Sequence, residues 1–150
     1  MNAMFLVENK KARFNYEILE TLEAGIELFG FEVKALRQKK ASLEGSRVIV
    51  RGGEAYLIGA TVSPYQPANT PQTYAADRNR KLLLTKKEIN SLVGYENKKG
   101  LTIIPLSVYN KGRKIKISIG IARGKKKFDK REVIKKRETE RDIGRTLKYK

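Results

Sequence analysis

A ten-residue run near the end of the chain, RKIKISIGIA (113–122), alternates between apolar and polar side chains. Successive side chains of a β-strand point to opposite faces of a sheet, so this period of two predicts a strand with one buried face. The apolar side carries Ile115, Ile117, Ile119 and Ile121, and the polar side carries Lys114, Lys116 and Ser118. The predicted antiparallel partner is GLTIIPLSVY (100–109), joined to it through the NKGR turn. Such a pair places the chain among antiparallel sheets with one solvated, cationic face.

More strands are predicted upstream of this pair. SRVIVRGGEAYLIGATV (46–62) contains two β-rich runs around Gly52-Gly53, and this pattern predicts a hairpin because glycine enters a turn with positive φ without steric cost. FNYEILETLEAGIEL (14–28) is predicted to be another long strand, bent at Gly25. SPYQPANTPQTYAADRNR (63–80) holds three of the four prolines and is predicted to be a long, partly mobile loop.

Two helices are predicted within the same region. TKKEINSLVG (85–94) begins with a capping box, Thr85 with Glu88, and Gly94 is expected to end it. Its predicted buried face consists of Ile89, Leu92 and Val93. FEVKALRQ (31–38) is a shorter helix whose predicted inward residues are Phe31, Val33 and Leu36.

These elements predict a mainly β fold with five or six strands and two or three short helices. These elements fit a small closed antiparallel barrel of the oligonucleotide-binding (OB) type. Closure of such a barrel removes exposed strand edges and leaves a basic face for RNA. We expect the barrel to span residues 1–122. Residues 123–150 form a separate basic tail, with 13 Lys+Arg against 5 Asp+Glu.

The charge of the whole chain predicts a polyanionic partner. There are 33 Lys+Arg against 16 Asp+Glu, a formal net charge of +17. The N-terminal apolar run, 3–7, is too short for a signal peptide or a membrane span, and no other segment is long enough. We therefore expect a cytoplasmic protein without a membrane partner, and nucleic acid is the favoured polyanion.

The chain contains neither cysteine nor histidine. This excludes disulfides, Cys/His zinc sites, thiol nucleophiles and imidazole bases. GIARGKKK (120–127) has the wrong glycine spacing for a phosphate-binding loop and lacks the Ser/Thr after Gly-Lys. We expect no cofactor, no metal and no enzymatic activity.

Seven stretches occur in one order and spacing that resembles the SmpB family, the protein partners of transfer-messenger RNA in bacterial ribosome rescue. They are NKKARFNYEI (9–18), EAGIEL (23–28), GFEVKALR (30–37), GEAYL (53–57), RKLLLTKKEI (80–89), KGLTIIPL (99–106) and ARGKKKFDKRE (122–132). Of these stretches, RKLLL and GKKKFDKRE at this separation are the most specific to the family. The resemblance runs from Asn9 to the C-terminus. It departs from the family at Phe31, at Ala75-Ala76 and at Phe128.

The resemblance implies a monomeric OB-type protein that grips the tRNA-like domain of transfer-messenger RNA. It also implies a position at the small-subunit decoding centre and in the mRNA channel of a stalled ribosome. Lys116 would meet a phosphate, Asn9 a base edge or sugar, and Leu83 an exposed base or ribose. Glu23 would accept from base amino or imino groups, since a carboxylate repels phosphate. The RNA-binding residues predicted in this way are Asn9, Lys10, Lys11, Glu23, Arg80, Lys81, Leu83 and Lys116.

The basic tail is predicted to be disordered alone and helical on the ribosome. Asp129 is its expected N-cap, with Glu132 in the capping-box position, but its few apolar residues cannot hold an isolated helix in water. Phe128 offers a stacking surface among cations. The residues predicted to contact the channel are Lys125, Lys126, Lys127, Phe128, Asp129, Lys130, Arg131, Lys135, Lys136 and Arg137.

Two other functions fit the same composition. A general RNA-binding or ribosome-assembly protein would use the basic barrel with weak discrimination among RNAs and no special role for Glu23. A metal-dependent nuclease would need clustered carboxylates, yet Asp77 is the only aspartate in the first 122 residues.

Overall fold

The computed structural model describes residues 4–64, 66, 68 and 70–125. Its strands are β1 Met4–Glu8, β2 Tyr16–Ile26, β3 Ala41–Ser42, β4 Arg47–Arg51, β5 Glu54–Ile58, β6 Thr61–Val62, β7 Arg80–Leu83, β8 Leu101–Lys111 and β9 Lys114–Gly124. Its helices are α1 Ala12–Asn15, α2 Gly30–Arg37 and α3 Lys86–Glu96. The predictions for the tail beyond Lys125 lie outside the described residues.

Seven of the strands form one antiparallel sheet in the order β1-β8-β9-β2-β7-β5-β4, and β3 and β6 form a separate pair. The mainly β class with short helices is therefore confirmed. Both predicted hairpins are present: β4 pairs with β5 around Gly52-Gly53, and β8 pairs with β9. Gly52 and Gly53 both have positive φ, 58° and 75°, as their turn requires.

The sheet curls until β4 lies close to β8, and α3 packs against both strands. Within the described part of the chain no ladder joins β4 to β8, so the sheet is open by its hydrogen bonds. The carboxylate of Glu96, at the end of α3, covers the β4 edge instead. It accepts from the backbone N–H of Val50 at 3.0 Å and pairs with Arg51 at 2.9 Å. A strand edge satisfied by a side chain offers fewer free groups for pairing with another chain.

The core fills the inner face of the curled sheet. Its residues are the inward alternate positions of the long strands, among them Ala24, Leu82, Val108, Ile117 and Ile119. A smaller cluster of Ala12, Ile104 and Ala122 packs α1 on the opposite face, at the far end of β8 and β9. The C-terminal end of β9 is therefore covered on both sides.

The helices differ in detail from the sequence expectations. The predicted strand over 14–28 begins only at Tyr16, because α1 occupies the preceding turn. The capping box at Thr85 is confirmed, but Gly94 does not end α3, which continues to Glu96. Val93 was predicted to be buried and is 39 % exposed, because the face that meets the sheet is that of Ile89 and Leu92.

The shorter predicted helix turns a different face inward. α2 runs over Gly30–Arg37, and its buried residues are Glu32, Ala35 and Leu36, whereas Phe31 and Val33 are only half-buried. Among the described residues no helix is long and apolar enough to cross a membrane.

Candidate nucleic-acid interface

The outer face of the sheet brings two of the predicted binding residues, Lys116 and Leu83, into one row. Across neighbouring strands, Phe5 is opposite Tyr109, Tyr109 opposite Lys116, Lys116 opposite Gly25, and Gly25 opposite Leu83. Residues opposite one another in antiparallel strands point to the same face about 4.5–5.5 Å apart. The row therefore contains, in order, an exposed ring, the Tyr109 phenol, which is only 9 % exposed, an ammonium group, a gap and an exposed apolar side chain. We call these five residues the outer row.

Leu83 lies in the outer row because the strand period turns it away from the core. Its neighbour Leu82 is inward and 1 % exposed, whereas Leu83 is 51 % exposed. Leu83 lies over Gly25: a Cβ built at Gly25 would be 3.1 Å from the Leu83 Cβ and 3.3 Å from its Cδ1. Any larger residue at position 25 would push Leu83 away, so this glycine keeps an exposed leucine flat on the sheet.

Glu23 lies two residues along β2 from Gly25, opposite Ser118, and so belongs to the next pair on the same face as the outer row. Its carboxylate accepts from the Tyr109 hydroxyl and from the Lys111 ammonium group at 3.0 Å. The hydrogen bond from Tyr109, then that from Lys111, hold the pKa of Glu23 below its usual range, and the charge of Lys116 adds to the effect. Glu23 is therefore an ionised acceptor with a fixed orientation on the cationic face.

A groove of about 920 Å³ continues from the outer row toward the start of the chain. Ser107, Ser118 and Thr21 supply hydroxyl groups to it. Lys10 and Arg13 supply cations, and Asn9 lies at the same groove. The Asn9 amide nitrogen donates to the Pro105 carbonyl at 2.9 Å, which fixes the orientation of the side chain. The Glu8 carboxylate also lines the groove, so its hydroxyls and amide suit sugar groups, and phosphates suit the part near Lys10 and Arg13.

Three other predicted cations already have partners. Lys11 pairs with Glu44 at 2.6 Å, and Lys81 pairs with Glu54 at 3.1 Å. Pairs this exposed are worth little in water, so both lysines remain available to a phosphate. Lys125, the first predicted tail contact, donates from its ammonium group to the Arg13 carbonyl at 2.8 Å, in the last turn of α1.

The structure corrects the prediction for Arg80. It was predicted to contact the RNA backbone, yet it is 1 % exposed and forms an ion pair with Glu32 at 2.7 Å. Its guanidinium also donates to three backbone carbonyls, those of Ala60, Ala76 and Arg78. A side chain so enclosed cannot reach a ligand, and its role is structural. The strand period could have shown this, because Arg80 shares its parity with the inward Leu82.

The buried partner, Glu32, joins α2 to the long loop before β7. It is 0 % exposed, and its oxygens accept from Arg78, Arg80, Tyr74 and the backbone N–H of Phe29. Burial alone would raise the pKa of this carboxyl group. The hydrogen bonds, led by that of Arg78, outweigh burial and lower its pKa to about 2. This network fixes the loop that carries the Ala75-Ala76 departure, and Phe31 packs edge-on against Tyr74 at 4.8 Å.

Sequence reasoning missed four residues that the structure adds to this surface: Phe5, Arg13, Gly25 and Tyr109. For Tyr109 and Gly25 the alternation of their strands indicates the outer face, but neither residue type marks an RNA contact. Among the described residues no group of three or more His, Cys, Asp or Glu could hold a metal ion.

Comparisons with known proteins agree on one family. The family model described as "SmpB protein" matches residues 6–149. A relative from Synechococcus sp. (strain JA-3-3Ab), named SsrA-binding protein, is 51 % identical over 98 % of this chain and 96 % of its own length. A relative of the same name from Gloeothece citriformis (strain PCC 7424) is 49 % identical over 95 % of this chain and 92 % of its own length.

This chain is also similar to one solved structure, described as "tmRNA-SmpB: a journey to the center of the bacterial ribosome". It is 45 % identical, with a TM-score of 0.67 over 80 % of this chain and 84 % of the other.

Proposed function

Because this chain belongs to the SmpB family, we propose that it binds the tRNA-like domain of transfer-messenger RNA and delivers that RNA to stalled ribosomes. Rescue of the ribosome and tagging of the unfinished peptide then follow from the RNA that it brings. The protein acts by binding, as a monomer in the cytoplasm, and supplies no catalytic group. The names of the SsrA-binding relatives and the solved structure whose description joins tmRNA, SmpB and the bacterial ribosome support this proposal.

The single observation that carries the RNA-binding part is the arrangement around Glu23. A surface that only attracted phosphate would gain nothing from a fixed, ionised carboxylate among lysines. Held by Tyr109 and Lys111, Glu23 can accept from the amino or imino groups of a base, which phosphate contacts cannot distinguish. We infer that this carboxylate gives the surface its preference for one RNA structure.

The neighbouring residues take complementary roles. Lys116 places a cation beside Glu23 for the RNA backbone, and Leu83 contributes an apolar surface for a base or ribose. Asn9 and Lys10, in the groove next to Ser107 and Ser118, extend the contact along the sugar-phosphate chain. Together they define a face on the strands β8, β9, β2 and β7. We propose that the curled sheet beneath them is an OB-type barrel.

The basic tail takes the ribosomal part of the proposal. Residues 126–150 carry a dense excess of cations, and we propose that they become helical in the emptied mRNA channel, where ribosomal RNA offsets their charge. The channel contacts are Lys126, Lys127, Phe128, Asp129, Lys130, Arg131, Lys135, Lys136 and Arg137. Lys125 belongs to the body as well, because its backbone N–H donates to the Asn15 carbonyl at 2.9 Å.

The RNA-binding part and the ribosomal part of the proposal can be tested separately. Glu23→Gln and Leu83→Ala are expected to weaken binding to the tRNA-like domain. A chain cut after Lys125 keeps β9 intact and is expected to bind that RNA with little loss, yet to support no tagging on ribosomes stalled on truncated messages. Full tagging by the cut chain would contradict the channel helix. Full affinity in both substituted variants would contradict the assignment of the binding face.

A further inference from the structure

A second depression lies away from the groove, where α2 meets the loop before β7. Its volume is about 460 Å³. Aromatic and apolar side chains dominate its lining, which consists of Phe29, Phe31, Pro71, Thr73, Tyr74, Ala75 and Arg78. Among the described residues around it, Arg78 is the one charged lining residue. We call this depression the aromatic pocket.

The rings of the aromatic pocket are held in place before any ligand arrives. The Arg78 guanidinium lies 4.1 Å from the centre of the Phe29 ring and is fixed from its edge by the Glu32 carboxylate. Phe31 lies 5.5 Å from Phe29 and meets Tyr74 edge-on. Tyr74 is fixed in turn, because its hydroxyl donates to Glu32 at 2.8 Å. A pre-organised pocket loses little conformational entropy on binding.

Phe29 would be buried if this cluster were only a satellite core beneath the loop. It is instead 50 % exposed, although the Arg78 plane and the Phe31 ring are already beside it. Aromatic faces and guanidinium planes are the surfaces on which proteins stack unpaired bases. Arg78 lines the pocket and pairs with the buried Glu32, which also pairs with the buried Arg80, so this network carries one net positive charge beside the rings. That charge suits the phosphates on either side of a stacked base.

The aromatic pocket also continues the proposed RNA-binding face. Glu23, Gly25 and Glu27 occupy alternate positions on the outer side of β2 and its end, and Phe29 follows at the next alternate position. Six residues of extended chain span about 20 Å, the length of a few nucleotides. On the neighbouring strand β7, Lys81 and Leu83 share the outer side, and Arg78 lies two residues before that strand begins.

We propose that the aromatic pocket takes an unpaired nucleobase of the same RNA that the outer row holds. The base stacks on the Phe29 ring beside the Arg78 guanidinium. This inference rests on the proposed function, because it assigns the pocket to the RNA bound by the sheet.

The chain contains no tryptophan, so one substitution creates a unique fluorescent reporter. The Phe29→Trp variant is titrated with the tRNA-like domain of transfer-messenger RNA. Stacking of a base should quench its emission while the affinity stays within about two-fold of the unmodified protein. Val93→Trp places the same reporter on the exposed side of α3 and is expected to show no quenching.

Phe29→Leu separates stacking from simple apolar bulk. Leucine retains a large apolar side chain but has no aromatic face, so affinity for the RNA should fall about ten-fold. Circular dichroism and the melting temperature establish that the variant is folded. Phe31 and Tyr74 remain in place, so the pocket itself survives this change.

Three outcomes overturn the inference. In the first, RNA binds the Phe29→Trp variant without quenching and binds the Phe29→Leu variant at full affinity. In the second, Phe29→Leu leaves RNA binding intact but weakens association of the protein with purified ribosomes that carry no transfer-messenger RNA. That result would assign the pocket to a ribosomal partner. In the third, the unmodified protein does not prefer this RNA over an unrelated one, and the proposed function then fails with it.

Discussion

Leu83 lies flat over Gly25, and this contact places an exposed apolar side chain beside Lys116 on the face of the sheet. A Cβ on Gly25 would be 3.1 Å from the Leu83 Cβ, a distance that forces Leu83 to move. Gly25 does not have a positive φ, so its backbone conformation does not require glycine. Glycine is needed here because it has no side chain to collide with Leu83. The pair shows how a residue without a side chain can shape a binding surface.

Gly25→Ala should weaken binding to the tRNA-like domain several-fold while the protein stays folded. Leu83 is half-exposed and can swing outward, so the loss of stability should stay below the ~1–3 kcal/mol of an overpacked core. The measurement is a binding titration together with a urea unfolding curve. Gly94→Ala is the control, because a Cβ there meets nothing within 4 Å. That change should stabilise α3 by about 0.5–1 kcal/mol and leave RNA binding unchanged.

Tyr109→Phe removes one hydroxyl group and with it the main hydrogen bond that orients Glu23. We expect discrimination between the tRNA-like domain and an unrelated RNA to fall, because the carboxylate is then held only by the Lys111 ammonium group. Competition binding with the two RNAs measures this directly. Tyr95→Phe is chemically the same change at the Glu20 carboxylate, outside the outer row, and should have no effect. Equal effects of both substitutions would contradict the role given to Glu23.

Glu32 should make the protein sensitive to acid. Its pKa is about 2 in the folded protein and 4.5 in the reference state, so its stabilisation is fully present above pH 4.5. As the pH falls from 4.5 toward 2, about 3 kcal/mol of unfolding free energy should be lost. Urea unfolding at a series of pH values measures the slope. Glu32→Gln should remove this contribution and leave only the pH dependence of other carboxyl groups, such as Glu23, whose pKa is also lowered.

The same substitution should also lower stability at neutral pH. It leaves Arg80 buried without a charged partner, for which we expect a loss of about 3–5 kcal/mol. Glu54→Gln is the control, since Glu54 forms an exposed pair with Lys81 and should change stability by about 1 kcal/mol or less. Comparable losses in the two variants would contradict the structural role assigned to the Glu32 network.

Lys116→Gln should reduce the salt dependence of RNA binding. Each phosphate contact contributes about one unit to the slope of log affinity against log salt concentration, so the slope should fall by about one. Lys87→Gln on the exposed side of α3 carries the same loss of charge away from the sheet face and should leave the slope unchanged. Equal slopes in the two variants would place Lys116 outside the interface.

The sequence predicted the parts of the fold that depend on local patterns. The alternation over 113–122 gave β9 and its inward isoleucines, and Gly52-Gly53 gave the β4–β5 hairpin. The four-residue helix α1 was missed, because it is too short to show a helical period. Gly94 was taken as the end of α3, yet a helix held by Ile89 and Leu92 against the sheet tolerates a glycine near its end.

The candidate site was harder to predict, because its decisive contacts join residues far apart in the chain. Arg80 and Glu32 are 48 positions apart, and nothing local in FEVKALR indicates that its glutamate is buried. Tyr109 and Glu23 are 86 positions apart, so no spacing could pair them. Leu83 and Lys116 were assigned through family resemblance, and the strand register then placed them in one row with Gly25 between them.

The measurement that tests the central claim most directly compares two RNAs at about 150 mM salt, where phosphate contacts alone lose much of their strength. The affinity of the protein for the tRNA-like domain of transfer-messenger RNA is set against that for an unrelated RNA of equal length. We predict a preference of about a hundredfold or more, which corresponds to ~2.7 kcal/mol of structure-specific recognition. Equal affinities that fall together as the salt is raised would contradict it, and would leave a general RNA-binding protein driven by its positive charge.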